Sequence, residues 1–197
     1  MKLIQAKETA IQMLNAKLTV FDEHPILTND CSDIEFWVSK IEECSSISEI
    51  VDLIKSKFKL RYLQLLLSCG DITYKDIGNQ VLKCWNMVST LGYSRYFSKE
   101  MFLRLLTNAD MDSFMTDEEK NVLSSLPDYV EVYRGATNGS KMGMCWTLNK
   151  EVAVKYASKY NAKVYAANIP KKHILGYFSD DETIILKYRY LYNLTLI

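Results

Sequence analysis

The stretch that decides the fold of this chain is DYVEVYRGATNGSKMGMCWTLNKEVAVKYASKY, residues 128–160. Its first part, YVEVY, alternates apolar and polar residues as a half-buried β-strand does. After Arg134 and Gly135 comes a loop rich in Gly, Ser and Asn, followed by the short segment CWT. A helical pattern then begins, with Asn149 as its predicted N-cap. This stretch therefore predicts a strand, a loop, a second strand and a helix in direct succession.

The rest of the C-terminal part continues the β pattern. AKVYAANI (162–169), TIILKY (183–188) and LYNLTLI (191–197) are rich in β-branched and aromatic residues. The composition changes near Pro127, which marks the predicted boundary. We expect a helical region over residues 1–127 and a β-rich core with one helix over residues 128–197, the two forming one compact unit. The predicted fold class is α+β.

The N-terminal part carries helical periodicity. Residues 2–18 place Leu3, Ile4, Ile11, Leu14 and Leu18 near one face, and YLQLLLSC (62–69), DIGNQVLKCWNMVSTLGY (76–93) and SKEMFLRLLTNA (98–109) continue the pattern. Three segments fit the S/T-x-x-E capping box: SDIE (32–35), SISE (46–49) and TDEE (116–119).

Composition excludes several function classes. The chain has 197 residues, 48% of them hydrophobic, and a formal net charge of zero, so disorder and a nucleic-acid coat are both disfavoured. From Asp128 onward ten Lys/Arg stand against six Asp/Glu, an excess that either attracts an anionic ligand or is ordinary surface variation.

Five cysteines without a CxxC pair and only two histidines predict free thiols in a reducing compartment and no metal site. Neither a signal peptide nor a run of about 20 apolar residues is present, so we expect no membrane contact.

Three segments of the β-rich part stand out together. They are VYRG (Val132–Gly135), CWTLNKEVAVKYA (Cys145–Ala157) and SDDETIIL (Ser179–Leu186). In this order and spacing they resemble the mono-ADP-ribosyltransferase family of the arginine-serine-glutamate type, closest to the small phage-encoded protein ADP-ribosyltransferases. The resemblance covers roughly the last 70 residues. It implies a transferase, of the glycosyltransferase class, with an NAD cleft in an ADP-ribosyltransferase-like fold.

The resemblance assigns the acidic residues to catalysis. These enzymes split the bond between nicotinamide and ribose in NAD, their co-substrate, through an oxocarbenium-like sugar that a carboxylate stabilises. Glu182 matches the catalytic position. Asp180, two residues earlier, would lie on the same side of a strand and orient the acceptor group. An acidic turn before a strand, without catalytic function, is the alternative.

Four further residues match the positions that bind NAD. The planar guanidinium of Arg134 suits the pyrophosphate or the adjoining ribose, and Gly135 allows close approach of the backbone to nicotinamide. Cys145 and Thr147 occupy the two S-x-[ST] positions. Cysteine is a weaker donor than the family's serine, and without a nearby histidine we do not expect it to be a nucleophile.

The resemblance also concerns the partner. Family proteins contact the acceptor protein through a turn before the catalytic glutamate, and GYFSDD offers Tyr177 and Phe178 there; both could instead be core residues. The resemblance implies a host bacterial target, such as a defence or transcription component, and a cytoplasmic location. Asp180 is neither the Glu nor the Gln of the family, so the acceptor residue stays open. There are three alternatives: an NAD glycohydrolase, a catalytically decayed fold that acts as a protein-binding inhibitor, and a helical interaction protein whose β part is only a scaffold. The family order of Arg134, Thr147 and Glu182 argues against the third.

Overall fold

The structure is a computed structural model that describes residues 1–15, 34–84, 96–180 and 182–197. These residues form two compact units, Met1–Ala109 and Asp110–Ile197. The first is helical and the second contains an antiparallel six-stranded sheet, which confirms the α+β class. The second unit begins ahead of Pro127, because the helix before this proline packs against strand residues of the sheet.

In the described part of the first unit there are six α-helices: α1 (Lys2–Asn15), α2 (Ile34–Glu43), α3 (Ile47–Leu53), α4 (Ser56–Leu67), α5 (Tyr74–Lys83) and α6 (Lys99–Asn108). Helix α1 packs against α2, α3 and α4, and α5 packs against both α4 and α6. The periodicities of residues 62–69 and 98–109 thus lie on helices, whereas residues 85–93 of the third predicted helix lie outside the described residues.

The prediction of which residues form the buried face of α1 was partly wrong. Ile4 is 60% exposed, and the buried stripe consists of Ala6, Ala10, Met13 and Leu14. The hydroxyl of Tyr62 on α4 donates a hydrogen bond of 2.9 Å to the carbonyl of Ala6. The alanines let α4 approach the backbone of α1, so small residues form the interface rather than the larger isoleucine. Leu18 lies outside the described residues.

Two of the predicted caps are present. The Ser46 hydroxyl accepts from the Glu49 N–H ahead of α3, and Thr116 and Glu119 form a complete capping box. The third segment begins at Ser32, outside the described residues. Thr73 and Asp76 form a further capping box at α5, in which aspartate takes the place of glutamate.

The second unit contains, in its described part, a short 3-10 helix over Met111–Ser113, helices α7 (Asp117–Ser125) and α8 (Lys150–Lys159), and strands β1 (Tyr129–Ala136), β2 (Cys145–Thr147), β3 (Lys163–Pro170), β4 (Ile174–Phe178), β5 (Thr183–Leu186) and β6 (Tyr192–Leu196). Asn149 caps α8, as predicted, by accepting from the Glu151 N–H. Strand β4 was not predicted, because a glycine interrupts its pattern and its end was interpreted as a turn.

The strands follow the order β4-β5-β2-β1-β3-β6, with antiparallel pairing throughout. Helix α7 packs against the edge strand β4. At the C-terminal end of α7 the Lys171 ammonium donates to the carbonyls of Ser124 and Leu126, the second at 2.9 Å. This contact ties α7 to the segment that leads into β4 and satisfies carbonyls that the helix leaves open.

Helix α8 packs on β1 at Gly135. A side chain there would place its Cβ 2.6 Å from the Ala153 carbonyl oxygen and 2.7 Å from the Ala157 nitrogen. Both distances are below any normal contact, and both involve backbone atoms that cannot move independently. The small residues Ala153 and Ala157 are buried in this interface. Glycine at position 135 is therefore a packing requirement of the helix on the sheet.

Replacing this glycine should destabilise the second unit. We expect Gly135→Ala to lower the free energy of unfolding by about 1–3 kcal/mol, the usual cost of overpacking. Gly139→Ala is the matched control, since a Cβ at Gly139 meets nothing within 4 Å. Urea unfolding followed by circular dichroism measures both. Equal midpoints for the two variants would contradict the close contact between α8 and β1.

Candidate functional site

The three motif segments lie on neighbouring strands at the centre of the sheet. Strand β2 pairs with β1 at Tyr133 and Thr147, and Thr147 pairs in turn with Thr183 of β5. Arg134 is the residue after Tyr133 on β1, and Glu182 is the residue before Thr183 of β5. Residues that are far apart in the sequence are thereby brought to adjacent strands.

The Arg134 side chain is held in a defined orientation. Its Nε donates to the Ser140 carbonyl at 3.2 Å, and its Nη1 donates to the Cys145 carbonyl. The guanidinium lies against Gly143, where a Cβ would be 2.4 Å from the Arg134 Cζ. Among the described residues, no acceptor is bonded to Nη2. The arginine thus orders the loop between β1 and β2, and its Nη2 lies beside Gly143.

The same loop is fixed from a second direction. The Trp146 indole N–H donates to the Gly143 carbonyl at 2.9 Å, and Trp146 is buried. Sequence reasoning assigned Gly143 no role, although a glycine just before a short strand is a signal for close approach. Its function here is to leave room for the guanidinium of Arg134.

Thr147 and Cys145 differ in what they do on β2. The Thr147 hydroxyl is buried and accepts the Asn149 N–H at 3.1 Å, so it helps to start helix α8. Burial raises the pKa of the Cys145 thiol, and the nearby charge of Arg134 only partly opposes this effect. A thiol with a raised pKa is a poor nucleophile at neutral pH.

The acidic residues lie in a turn rather than on a strand. The backbone N–H of Glu182 donates to the Ser179 carbonyl at 3.1 Å, and Glu182 has a φ of 45°, in the left-handed region. The expectation that Asp180 and Glu182 share a face by strand alternation therefore does not apply. Asp180 is exposed and Glu182 is half-buried. Within the described part of the chain, neither carboxylate has a hydrogen-bond or ion-pair partner.

Tyr177 and Phe178 lie on β4 rather than in the turn itself. Both are half-buried, and the Tyr177 N–H donates to the Met115 sulfur at 3.4 Å. The Phe178 ring covers Gly176, where a Cβ would be 3.3 Å from the ring. The two aromatic residues therefore have packing contacts, and a role in binding an acceptor stays a prediction.

Glu119 contacts the acidic turn, and sequence reasoning assigned it only to the cap of α7. Its Oε1 accepts from the Ser179 N–H at 2.7 Å and from the Ser179 hydroxyl at 2.8 Å, while its Oε2 accepts from the Thr116 N–H at 2.8 Å. The residue is 6% exposed. Burial alone would raise the pKa of this carboxyl, but the hydrogen bonds from Ser179 and Thr116 outweigh burial and lower it.

The distance between the two ends of the site follows from sheet geometry. Arg134 and Glu182 are two strands apart and offset by two residues along the strands. With strands about 4.8 Å apart and about 3.3 Å per residue, their backbones are about 12 Å apart. One elongated ligand could contact both side chains, since each extends several ångströms from its backbone.

In comparisons with protein-family models, curated proteins and solved structures, nothing matches this chain. The part of the chain that the structure describes has no group of three or more His, Cys, Asp or Glu side chains that could hold a metal ion. Nor is any of its helices long and apolar enough to cross a bilayer.

The raised pKa of Cys145 predicts slow alkylation. We expect its reaction with iodoacetamide to accelerate continuously as the pH rises from 7 to 9.5. Burial raises the pKa of this thiol above the ordinary value, so the reactive thiolate forms in quantity only at alkaline pH. Peptide mass spectrometry measures the rate at this site, and urea-denatured protein is the control with an ordinary thiol. A rate that levels off below pH 8 would indicate an activated thiolate and contradict the assignment.

Proposed function

We propose that the chain is a mono-ADP-ribosyltransferase that transfers ADP-ribose from NAD to a side chain of a target protein. The observation that carries this proposal is that Arg134 on β1 and Glu182 directly before β5 lie at the centre of the sheet, with only strand β2 between β1 and β5. Thr147 has a different place from these two residues: it shares the face of its pair partner Tyr133, on the side where α8 packs on Gly135, whereas Arg134 lies on the opposite face. Its part in the proposed site is therefore to fix the end of β2 and the start of α8.

Glu182 is the proposed catalytic group. In the reaction the bond between the ribose carbon and the nicotinamide nitrogen breaks, and nicotinamide leaves with the bonding electron pair. The resulting oxocarbenium ion is attacked by the acceptor side chain, which loses a proton. A carboxylate beside the ribose stabilises this cation. The half-buried carboxylate of Glu182 has no partner among the described residues, and its left-handed backbone is a conformation that often occurs at active sites.

Arg134 is the proposed phosphate-binding residue. Two of its donors hold the loop carbonyls, which orients the guanidinium before any ligand arrives. Nη2, which donates to no acceptor among the described residues, is the group proposed to donate to the pyrophosphate or the adjoining ribose. Since the side chain is fixed in advance, little conformational entropy is lost on binding. A ligand that carries both a phosphate group and a reactive ribose suits the separation of Arg134 from Glu182.

The acceptor side of the site consists of Asp180, Tyr177 and Phe178. Asp180 is exposed at the turn, where it can orient or deprotonate an incoming side chain. The two aromatic residues lie at the end of β4 that leads into this turn. A host bacterial protein in the cytoplasm is the proposed target. Labelled NAD, mixed with the purified protein and a bacterial lysate, should give a labelled protein band.

Glu182→Gln tests the catalytic assignment. The amide keeps the size of the side chain but loses the charge, so we expect nicotinamide release to fall by ~100-fold or more with the fold preserved. Glu118→Gln on α7 is the control, because Glu118 is an exposed glutamate. Chromatography of released nicotinamide measures the rate, and circular dichroism checks the fold. Undiminished activity of Glu182→Gln would exclude Glu182 as the catalytic group.

Asp180→Ala distinguishes transfer from hydrolysis. If Asp180 positions the acceptor, the variant should lose protein labelling and retain part of its NAD cleavage, because water needs less positioning than a protein side chain. The two rates are measured in parallel, with and without lysate. An equal loss of both would instead assign Asp180 to NAD binding. Cleavage without labelling in the unsubstituted protein would favour an NAD glycohydrolase.

A further inference from the structure

We propose that Glu119 is a positioning residue for the reaction: its buried carboxylate holds the turn Ser179–Glu182 in the geometry that presents Glu182 and Asp180. This inference rests on the proposed function. Glu119 belongs to none of the three motifs and comes from the helix that precedes β1. It acts through Ser179, without contact to the reacting groups.

The contacts divide the carboxylate between two tasks. One oxygen, Oε2, accepts the Thr116 N–H and completes the helix cap. The other, Oε1, accepts both the N–H and the hydroxyl of Ser179. A glutamate that only caps a helix needs one oxygen and can keep the other in water. Here the second oxygen is withdrawn from water, and two donors from one residue of the turn replace the lost hydration.

The connection continues from Ser179 to Glu182. The carbonyl of Ser179 accepts the Glu182 N–H at 3.1 Å, which closes the turn. Glu182 has a φ of 45°, which is unfavourable for a residue with a Cβ and persists only where surrounding contacts impose it. The hydrogen bonds of Ser179 to Glu119 are such contacts, since they fix the first residue of the turn at both its amide and its side chain.

Neighbouring contacts from the same segment support β4 on the way to the turn. The Met115 sulfur accepts the Tyr177 N–H, and the Met111 sulfur lies 3.6 Å from the Cβ position of Gly176. Met111, Met115 and Glu119 follow one another at intervals of four residues and meet successive parts of β4 and its turn. The segment therefore braces the edge strand, and Glu119 is its contact with the acidic turn.

Two substitutions weaken the contact between Glu119 and Ser179, one from each side. Glu119→Gln is isosteric, but it can no longer accept from Ser179 and Thr116 with two equivalent oxygens. Ser179→Ala removes the hydroxyl donor on the turn and leaves the capping box intact. Thr116→Ala is the cap control, since it removes the hydroxyl that accepts the Glu119 N–H and keeps the contact of Glu119 with Ser179. Glu118→Gln is the charge control on the same helical turn.

Hydrogen exchange of the peptide around residues 176–184 and the kinetics of nicotinamide release give two independent readouts. We expect Glu119→Gln and Ser179→Ala to speed exchange in the turn and to lower kcat by about tenfold or more, with KM for NAD changed much less, because misplacement of a reacting group affects chemistry rather than binding. Glu118→Gln should leave both readouts unchanged, and Thr116→Ala should affect exchange only within α7.

The outcomes separate the two proposals. If the unsubstituted protein cleaves NAD and labels a protein but both variants keep its kcat, Glu119 is not a positioning residue and the proposed function stands. Equal kcat losses in Thr116→Ala and Glu119→Gln would also overturn the inference, since helix stability would then explain the effect. If the unsubstituted protein neither cleaves NAD nor labels a protein, the proposed function fails, and the positioning role fails with it.

Discussion

The second unit depends on the contact between the backbone of helix α8 and Gly135 of β1. A side chain at this position would overlap the Ala153 carbonyl and the Ala157 nitrogen, so the helix can lie here only because the residue is glycine. The neighbouring Arg134 points to the opposite side of the strand, as successive strand residues do. Gly135 thereby allows helix α8 to pack on one face of the sheet, while the guanidinium of Arg134 lies on the other face.

The remaining parts of the candidate site follow from this arrangement. Helix α8 begins where the Thr147 hydroxyl accepts the Asn149 N–H, so the position of the helix and the end of β2 are set together. Strand β2 lies between β1 and β5 and pairs with both, so it sets the position of β5 relative to β1 and with it the place of the acidic turn. Helix α7 holds this turn from the sheet edge through Glu119. The polar groups that could meet a ligand therefore lie on elements whose positions are mutually constrained.

Much of the second unit could be predicted from local patterns. Alternation located β1 and β3, and the position of Asn149 located the start of α8, because both signals depend on neighbours within a few residues. Strand β4 was missed because Gly176 interrupts its pattern, and this glycine accommodates the Phe178 ring and the Met111 sulfur. The buried face of α1 was predicted partly wrongly for a related reason. Ala6 and Ala10 form its interface, but a prediction from hydrophobicity favours Ile4, because isoleucine is more hydrophobic than alanine.

Glu119 shows where the sequence alone stops being sufficient. The pattern from Thr116 to Glu119 determined the capping box, since both partners lie within one turn of the same helix. The partner of its second oxygen, Ser179, is 60 residues away, and only the pairing of β4 with β5 beside α7 brings it within hydrogen-bonding distance. The same holds for Glu182: its identity and its place before a β-branched run were legible in the sequence. Its left-handed backbone was decided by tertiary contacts, because a turn takes its geometry from the strands that it joins and from what holds it.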